Sequence, residues 1–392
     1  MTRAPHPPAI AARAEAVAPF LAMDVLARAA VKERGGESIV HMEVGQPSAP
    51  APRAAREAAK AAIDEGRIGY TEALGIAPLR ERIARHYREA YGVEVSPERV
   101  VVTTGSSAGF VLAFMAMFAP GSKVAITAPG YPAYRNILRA LDVEPVEIPL
   151  ERATGYVMTG EALAATHART PLSGALAMSP ANPSGTMMDE ATLASVARTC
   201  RENGLWFVSD EIYHGLTYGT PAQTALRFDP DAVIVNSFSK YYCMTGWRIG
   251  WLVVPDRLVR PIERLAQSLY ISAPYLSQVA ALAAFEATDE LEAVKAGYAR
   301  TRAMLLEELP RIGLDELHPA DGAFYVYANV SRFTNSSLDF SRRLLDEAGV
   351  AATPGVDFDP IEGERWLRLS FAGAFEECRE GVRRIGALLR RT

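Results

Sequence analysis

Cysteine is nearly missing from this chain. Its three residues in 392, Cys200, Cys243 and Cys378, are odd in number and far apart. They offer no disulfide framework and no cysteine-based zinc site, and they fit a reducing cytoplasm. Histidine is thin as well: six residues with no His-Glu-x-x-His spacing, so no metal is expected. Nor is there an excess of positive charge. A net charge of −5 leaves no basic face for nucleic acid. The most apolar run, Phe110 to Phe118, falls far short of the ~20 residues that span a bilayer, so no membrane partner is expected. The first residues, Met1-Thr2-Arg3-Ala4-Pro5-His6-Pro7-Pro8, lack the apolar core of a signal peptide. What is present is 49% hydrophobic and 22% charged, the composition of a globular enzyme. Its length allows about two or three domains.

Apolar, β-branched runs alternate with helical patterns from about residue 98 to 275. Strands are expected at Val100–Thr103, Val124–Thr127, Val143–Ile148, Ala175–Met178, Trp206–Ser209, Ala232–Val235 and Ile249–Val254. Helices are expected at Ala108–Phe118, Ala133–Leu141 and Asp189–Asn203. Continuous apolar strands separated by helices predict an α/β fold with a mostly parallel sheet covered on both faces. Ligands of such sheets sit beyond the strand C-termini. Past residue 285 long helical patterns surround two strand-like runs, Ala323–Ala328 and Trp366–Phe371, which predicts a smaller α+β domain. The division expected is an N-terminal segment 1–44 packed on the small domain or a partner subunit, a large domain 45–285 and a small domain 286–392.

Five motifs carry chemistry. Asn236-Ser237-Phe238-Ser239-Lys240 follows the apolar run Ala232–Val235, and Met244-Thr245-Gly246-Trp247-Arg248-Ile249-Gly250 comes soon after. A lysine ending a buried strand is costly unless its amine is needed. An amine of depressed pKa forms a Schiff base, and hydroxyls with an arginine suit a phosphate. Together they suggest an amine that captures a phosphorylated aldehyde such as pyridoxal 5'-phosphate. Asp210, closing the strand Leu205–Val208, reads either as a helix cap or as a buried carboxylate that keeps a pyridine nitrogen protonated. Tyr213, three residues on, is either core or a donor to a ring oxygen. Asn182, in Asn182-Pro183-Ser184-Gly185-Thr186, is first a turn signal, and its amide could hold the same oxygen. Gly105-Ser106-Ser107 joins a strand to a helix, where free N–H groups favour an anion. Arg368, in Trp366-Leu367-Arg368-Leu369, calls for a carboxylate partner, either structural or from a substrate.

As a set these motifs resemble the class I/II aminotransferases of the aspartate-aminotransferase superfamily, fold-type I pyridoxal-phosphate enzymes. The Ser-x-Ser-Lys … Gly-x-Arg-Ile-Gly signature is specific, and the resemblance runs from Val44-Gly45-Gln46-Pro47 to Arg368. It implies that Lys240 is the Schiff-base lysine and proton shuttle, and that Asp210 pairs with the pyridine nitrogen. Asn182 and Tyr213 hold the ring oxygen, and Tyr131 stacks on the ring. Ser237, Ser239, Arg248 and Gly105-Ser106-Ser107 surround the phosphate, with Tyr70 contributed by a neighbouring subunit. Arg368 binds the substrate α-carboxylate, with Gly45 and Asn182 lining the same place.

The implied activity moves an amino group between an L-amino acid and a 2-oxo acid by a ping-pong mechanism, in a cytoplasmic homodimer with shared active sites. A carbon–sulfur β-lyase reaction is the alternative on the same fold. A pyridoxal-phosphate-binding regulator is a third reading, without a basic N-terminal domain to support it. Arg67, Arg135 and Arg264 are candidates for a second arginine that would bind a dicarboxylate. Two departures stand out: Cys243 replaces a smaller residue after the lysine, and Phe358-Asp359 replaces Phe-Gly before Arg368.

Overall fold

The computed structural model describes residues 9–391. The strands in chain order are β1 (Val40–His41), β2 (Val100–Thr103), β3 (Lys123–Ala128), β4 (Glu144–Pro149), β5 (Gly174–Met178), β6 (Trp206–Asp210) and β7 (Val233–Ser237). They continue as β8 (Gly250–Val253), β9 (Tyr325–Asn329), β10 (Val350–Ala351), β11 (Thr353–Pro354) and β12 (Trp366–Ser370). Every expected strand of the large sheet is present, with ends moved by a residue or two. The inner strands are mostly apolar because helices cover both faces, so alternation with polar residues would bury the polar ones; the edge strand β4 carries Glu144 and Glu147.

The large sheet has the order β2-β8-β7-β6-β5-β3-β4. Its pairs are parallel except those of β8, which runs antiparallel to both β2 and β7. That reversal has a consequence. Parallel neighbours deliver their C-terminal ends to one edge of the sheet, whereas β8 delivers its N-terminal end there. Gly250 therefore pairs with both Thr103 and Ser237. Arg248, just before β8, arrives beside the loops that follow β2 and β7.

The helix expected at Ala108 begins at Gly105 and runs to Met117. Ser106 and Ser107 thus lie in its first turn rather than in a preceding loop. The Ala-rich stretch after residue 49 forms a helix at Arg53–Glu65, with Ala55, Ala59 and Ala62 buried at helical spacing. Helices at Ala77–Tyr91, Asp256–Leu269 and Tyr275–Ala284 were not expected from the pattern, although Leu79, Ile83, Ala84 and Tyr87 bury one clear stripe of the first.

Beyond the large sheet, β11, β12 and β9 form an antiparallel sheet of three strands. Strand β1 pairs in parallel with β10, tying the chain near residue 40 to the chain near residue 350. Just before it, the helix Leu21–Arg34 sets Ala29 against Leu345 and Ala351. Its first two N–H groups, on Leu21 and Ala22, donate to the buried carboxylate of Asp357 at 3.1 and 3.2 Å. A carboxylate at that place satisfies donors that a helix start leaves free.

Candidate active site

The strand ends converge on a cavity of about 250 Å³. Of the residues singled out from the sequence, Gly45, Ser106, Ser107, Tyr131, Asn182, Asp210, Tyr213, Ser239, Lys240, Arg248 and Arg368 line it. They come from stretches more than 300 residues apart in the chain, brought together by the topology.

Lys240 Nζ donates to the backbone carbonyl of Gly45 at 2.7 Å. Desolvation, with the guanidinium groups of Arg368 and Arg248, pushes its amine down to about 8, against a smaller opposing pull from Asp210. A large share of this lysine is thus a neutral nucleophile near pH 8. Asp210 is buried. Desolvation raises its carboxyl to about 6, opposed by a hydrogen bond from the Tyr134 hydroxyl and another from the Ile212 N–H at 3.0 Å. The Tyr134 hydroxyl also lies 3.1 Å from Met178 Sδ. Tyr134 reads in the sequence as one more aromatic in a Pro/Gly turn. Its role shows only once β3 and β6 bring the two residues together.

Tyr213 shares a hydrogen bond of 2.7 Å with Tyr325 across their hydroxyls. Tyr325 is a second residue the sequence did not flag, because a tyrosine in an apolar strand reads as core. It also explains Gly45. A Cβ at that position would lie 1.6 Å from the Tyr325 hydroxyl oxygen, so only glycine lets the loop pass.

Arg368 is buried. Nη1 donates to Asn182 Oδ1 at 2.9 Å, and Nη2 donates to the Glu43 carbonyl and to Thr353 Oγ1 at 3.2 Å. Its guanidinium is sandwiched between the rings of Tyr325 and Phe358, 4.5 and 4.6 Å from their centroids. Nε has no partner. A buried guanidinium with no carboxylate against it, facing a cavity, is suited to a carboxylate from outside. Phe358 keeps the phenylalanine usual before Arg368. The departure is Asp359, which accepts from the N–H groups of Ile361 and Glu362 at 2.8 and 3.1 Å, so it shapes the turn without facing the cavity.

Gly105 has φ +76°, and a Cβ there would sit 2.5 Å from Arg248 Nη2. Glycine at that position lets the arginine reach the start of the helix. Ser237 stands one layer behind the cavity: its hydroxyl lies 2.8 Å from Ser239 Oγ and 3.0 Å from the Ile249 carbonyl. Cys243 has φ +55°, a conformation in which a small side chain is least strained.

Tyr70 does not meet the cavity of its own chain. It is 83% exposed on the loop between two helices. Of the three second-arginine candidates, Arg135 is excluded. It is buried and used up by an ion pair to Glu147 at 3.0 Å and a hydrogen bond to the Asp357 carbonyl at 2.9 Å. Arg67 and Arg264 are on the surface, and neither lines the cavity. Among the described residues no cluster of His, Cys, Asp or Glu could hold a metal ion, and no helix is long and apolar enough to cross a membrane.

Comparison with known proteins decides what this arrangement belongs to. A family model described as aminotransferase class I and II matches residues 37–385. The chain belongs to that family. It is 48% identical to the valine–pyruvate aminotransferase of Mycobacterium tuberculosis, over 95% of this chain and 97% of that one. It is 34% identical to the arginine–pyruvate transaminase of Pseudomonas aeruginosa, over 93% of each. Among solved structures, an aminotransferase from Mycobacterium tuberculosis superposes with a TM-score of 0.95 at 48% identity, covering 98% of this chain and all of that one. The aspartate aminotransferase of Thermus thermophilus with maleate gives 0.92 at 31% identity, covering 97% of this chain and 100% of that one. The aminotransferase is therefore a transferase of fold type I, and the transamination reading prevails over the lyase alternative.

Proposed function

We propose that this aminotransferase uses pyridoxal 5'-phosphate, held at Lys240, to move an amino group between an L-amino acid and a 2-oxo acid. The carrying observation is that Lys240, Asp210 and Arg368, three costly buried or partly buried charges, face one cavity. The cavity fits the group on four counts. Lys240 is a desolvated amine able to hold an aldehyde carbon. Asp210 is a buried carboxylate that gains its charge when a cation comes within hydrogen-bond reach. Ser106 and Ser107 in a helix's first turn, with Ser239 and Arg248, suit a phosphate. Asn182 and Tyr213 would offer donors to a ring oxygen, and Tyr131 would offer a face for stacking. Ser237 would support Ser239 from behind.

Bound there, the group would supply an electron sink that stabilises negative charge on the substrate α-carbon. The protein's own residues do the rest. Arg368 fixes the α-carboxylate, so the Cα–H bond is held toward Lys240. Lys240 Nζ, once neutral and free, takes the α-proton and carries it, a transfer typically worth ~10²–10⁴-fold in rate. The buried rings of Tyr325 and Tyr213 in the cavity wall, with Phe358 packed on Arg368, keep water from competing for these charges.

The exposed Tyr70 supports a homodimer in which it completes the partner's phosphate site. The balance of charge and the scarcity of cysteine support the cytoplasm as the place of action. The segment 1–44, large domain 45–285 and small domain 286–392 remain our division of the chain, supported by separate sheets within residues 100–253 and 325–370. Lys240→Ala is expected to abolish turnover between an amino acid and an oxo acid. Full activity in that variant, with no external amine added, refutes the assignment.

A further inference from the structure

One wall of the cavity is not used by any role above. It is formed by Phe20, Ala22 and Met23 from the start of the first long helix, with Val44 beside Gly45. The cavity's charges are all committed elsewhere. Among the described residues lining it, the cations are Lys240, Arg248 and Arg368, and the sole carboxylate is Asp210. Lys240 and Asp210 serve the chemistry, Arg248 the phosphate end and Arg368 the substrate carboxylate. Among the described residues of this chain, no other charged group lines the cavity to meet a substrate side chain.

The wall is also held in place rather than loosely apposed. Asp357 accepts from the N–H groups of Leu21 and Ala22, and its own carbonyl is fixed by Arg135. Ala18 exchanges two hydrogen bonds with Asn136, at 3.3 and 3.1 Å. Phe20 sits edge-on to Tyr131 at 5.6 Å between centroids. The N–H groups that begin this helix would otherwise favour an anionic side chain. With the Leu21 and Ala22 N–H groups spent on Asp357, that attraction is removed, and Asp357 adds negative charge behind the wall.

We infer that this wall selects amino acids with neutral, aliphatic side chains as donors and disfavours both dicarboxylic and basic ones. The inference rests on the transaminase reading and names its substrate class. Burying one extra methylene against such a wall discriminates by roughly 10–200-fold. An unpaired carboxylate placed there loses more, because it is desolvated without a partner.

The test is a donor panel with one oxo-acid acceptor, reading kcat/KM for L-valine, L-leucine, L-aspartate, L-glutamate and L-arginine. Valine or leucine is expected to exceed aspartate and arginine by at least about 10-fold. Met23 is half exposed, so Met23→Arg should fold. It is expected to raise kcat/KM for aspartate about 10-fold while lowering that for leucine. Asp357→Asn, which loosens the wall, is expected to narrow the preference in the same direction. Aspartate or glutamate ranking first in the unaltered enzyme overturns the inference, as does a ranking that Met23→Arg leaves unmoved. A preference for dicarboxylates that disappears in Arg67→Ala would overturn it in favour of an arginine lent by a partner subunit. Absence of transamination with every donor instead refutes the functional reading beneath it.

Discussion

Tyr134 offers the sharpest test of how the site's electrostatics are built. Its hydroxyl donates to the buried Asp210, and among the described residues only the Ile212 N–H shares the task. Tyr134→Phe removes one oxygen and keeps the ring, which packs edge-on against Phe110 and Tyr131 at 5.1 and 5.4 Å. A hydrogen bond to a charged group is worth roughly 1.5–3 kcal/mol. At 1.36 kcal/mol per pH unit, losing it should move the Asp210 titration upward by about one to two units from about 6. The direction follows from sign: the hydroxyl favours the carboxylate, so its removal favours the neutral acid. At pH 7 the variant's Asp210 would then be protonated in much of the population. The assay is carbon-13 NMR of the aspartate carboxyls in the cofactor-free protein, with Asp210→Asn identifying the resonance. Weaker retention of pyridoxal phosphate at pH 7, recovering as pH rises, should accompany the shift. A titration that stays at its original midpoint in a folded Tyr134→Phe protein refutes the reasoning.

Two further outcomes follow from the same geometry. Gly45→Ala places a Cβ 1.6 Å from the Tyr325 hydroxyl oxygen, so loop or tyrosine must move. Loss of kcat/KM by about 10²-fold or more is expected from such a displacement. The added Cβ would also lie 2.5 Å from ring Cζ, so Tyr325→Phe should not rescue the variant; instead Gly45→Ala is expected to cost less stability in a Tyr325→Ala background than in the unaltered protein, read by thermal unfolding. The second concerns pH. Because burial and two guanidiniums depress Lys240 to about 8, capture of an aldehyde by the cofactor-free protein should speed up as pH rises through 8 and level off above it. The same depression means that the folded protein disfavours the charged lysine. Its cost to stability is therefore full below about pH 8 and vanishes as pH approaches the ordinary 10.5. A capture rate still climbing through pH 10 would show that the amine is not desolvated.

Much of this was legible in the residues because it depends on local pattern. The seven strands of the large sheet announced themselves by apolar runs, and the site residues by standing just after them. Lys240, Asp210 and Asn182 each follow a strand whose end the sequence marks. What was not legible depends on pairing. That β8 is reversed, carrying Arg248 to the edge where Gly105 and Ser106 lie, is a matter of topology that no window of sequence contains. Tyr134 and Tyr325 were missed for the same reason. Each is an ordinary aromatic until its hydroxyl finds a partner 76 or 112 residues away. Arg135 failed in the opposite sense. It stood among three candidates for a second arginine, but Glu147 and the Asp357 carbonyl already use it. Asp357 itself carried no signal, because a capping carboxylate 336 residues from the helix it caps leaves none.

The central claim is that Lys240 Nζ is the atom that holds the cofactor. Reducing the active enzyme with borohydride and mapping its peptides by mass spectrometry tests this most directly. One pyridoxyl group per chain, on the peptide containing Ser239-Lys240-Tyr241, is the predicted result. A fully active enzyme that carries the label on another lysine, or on none, contradicts the account.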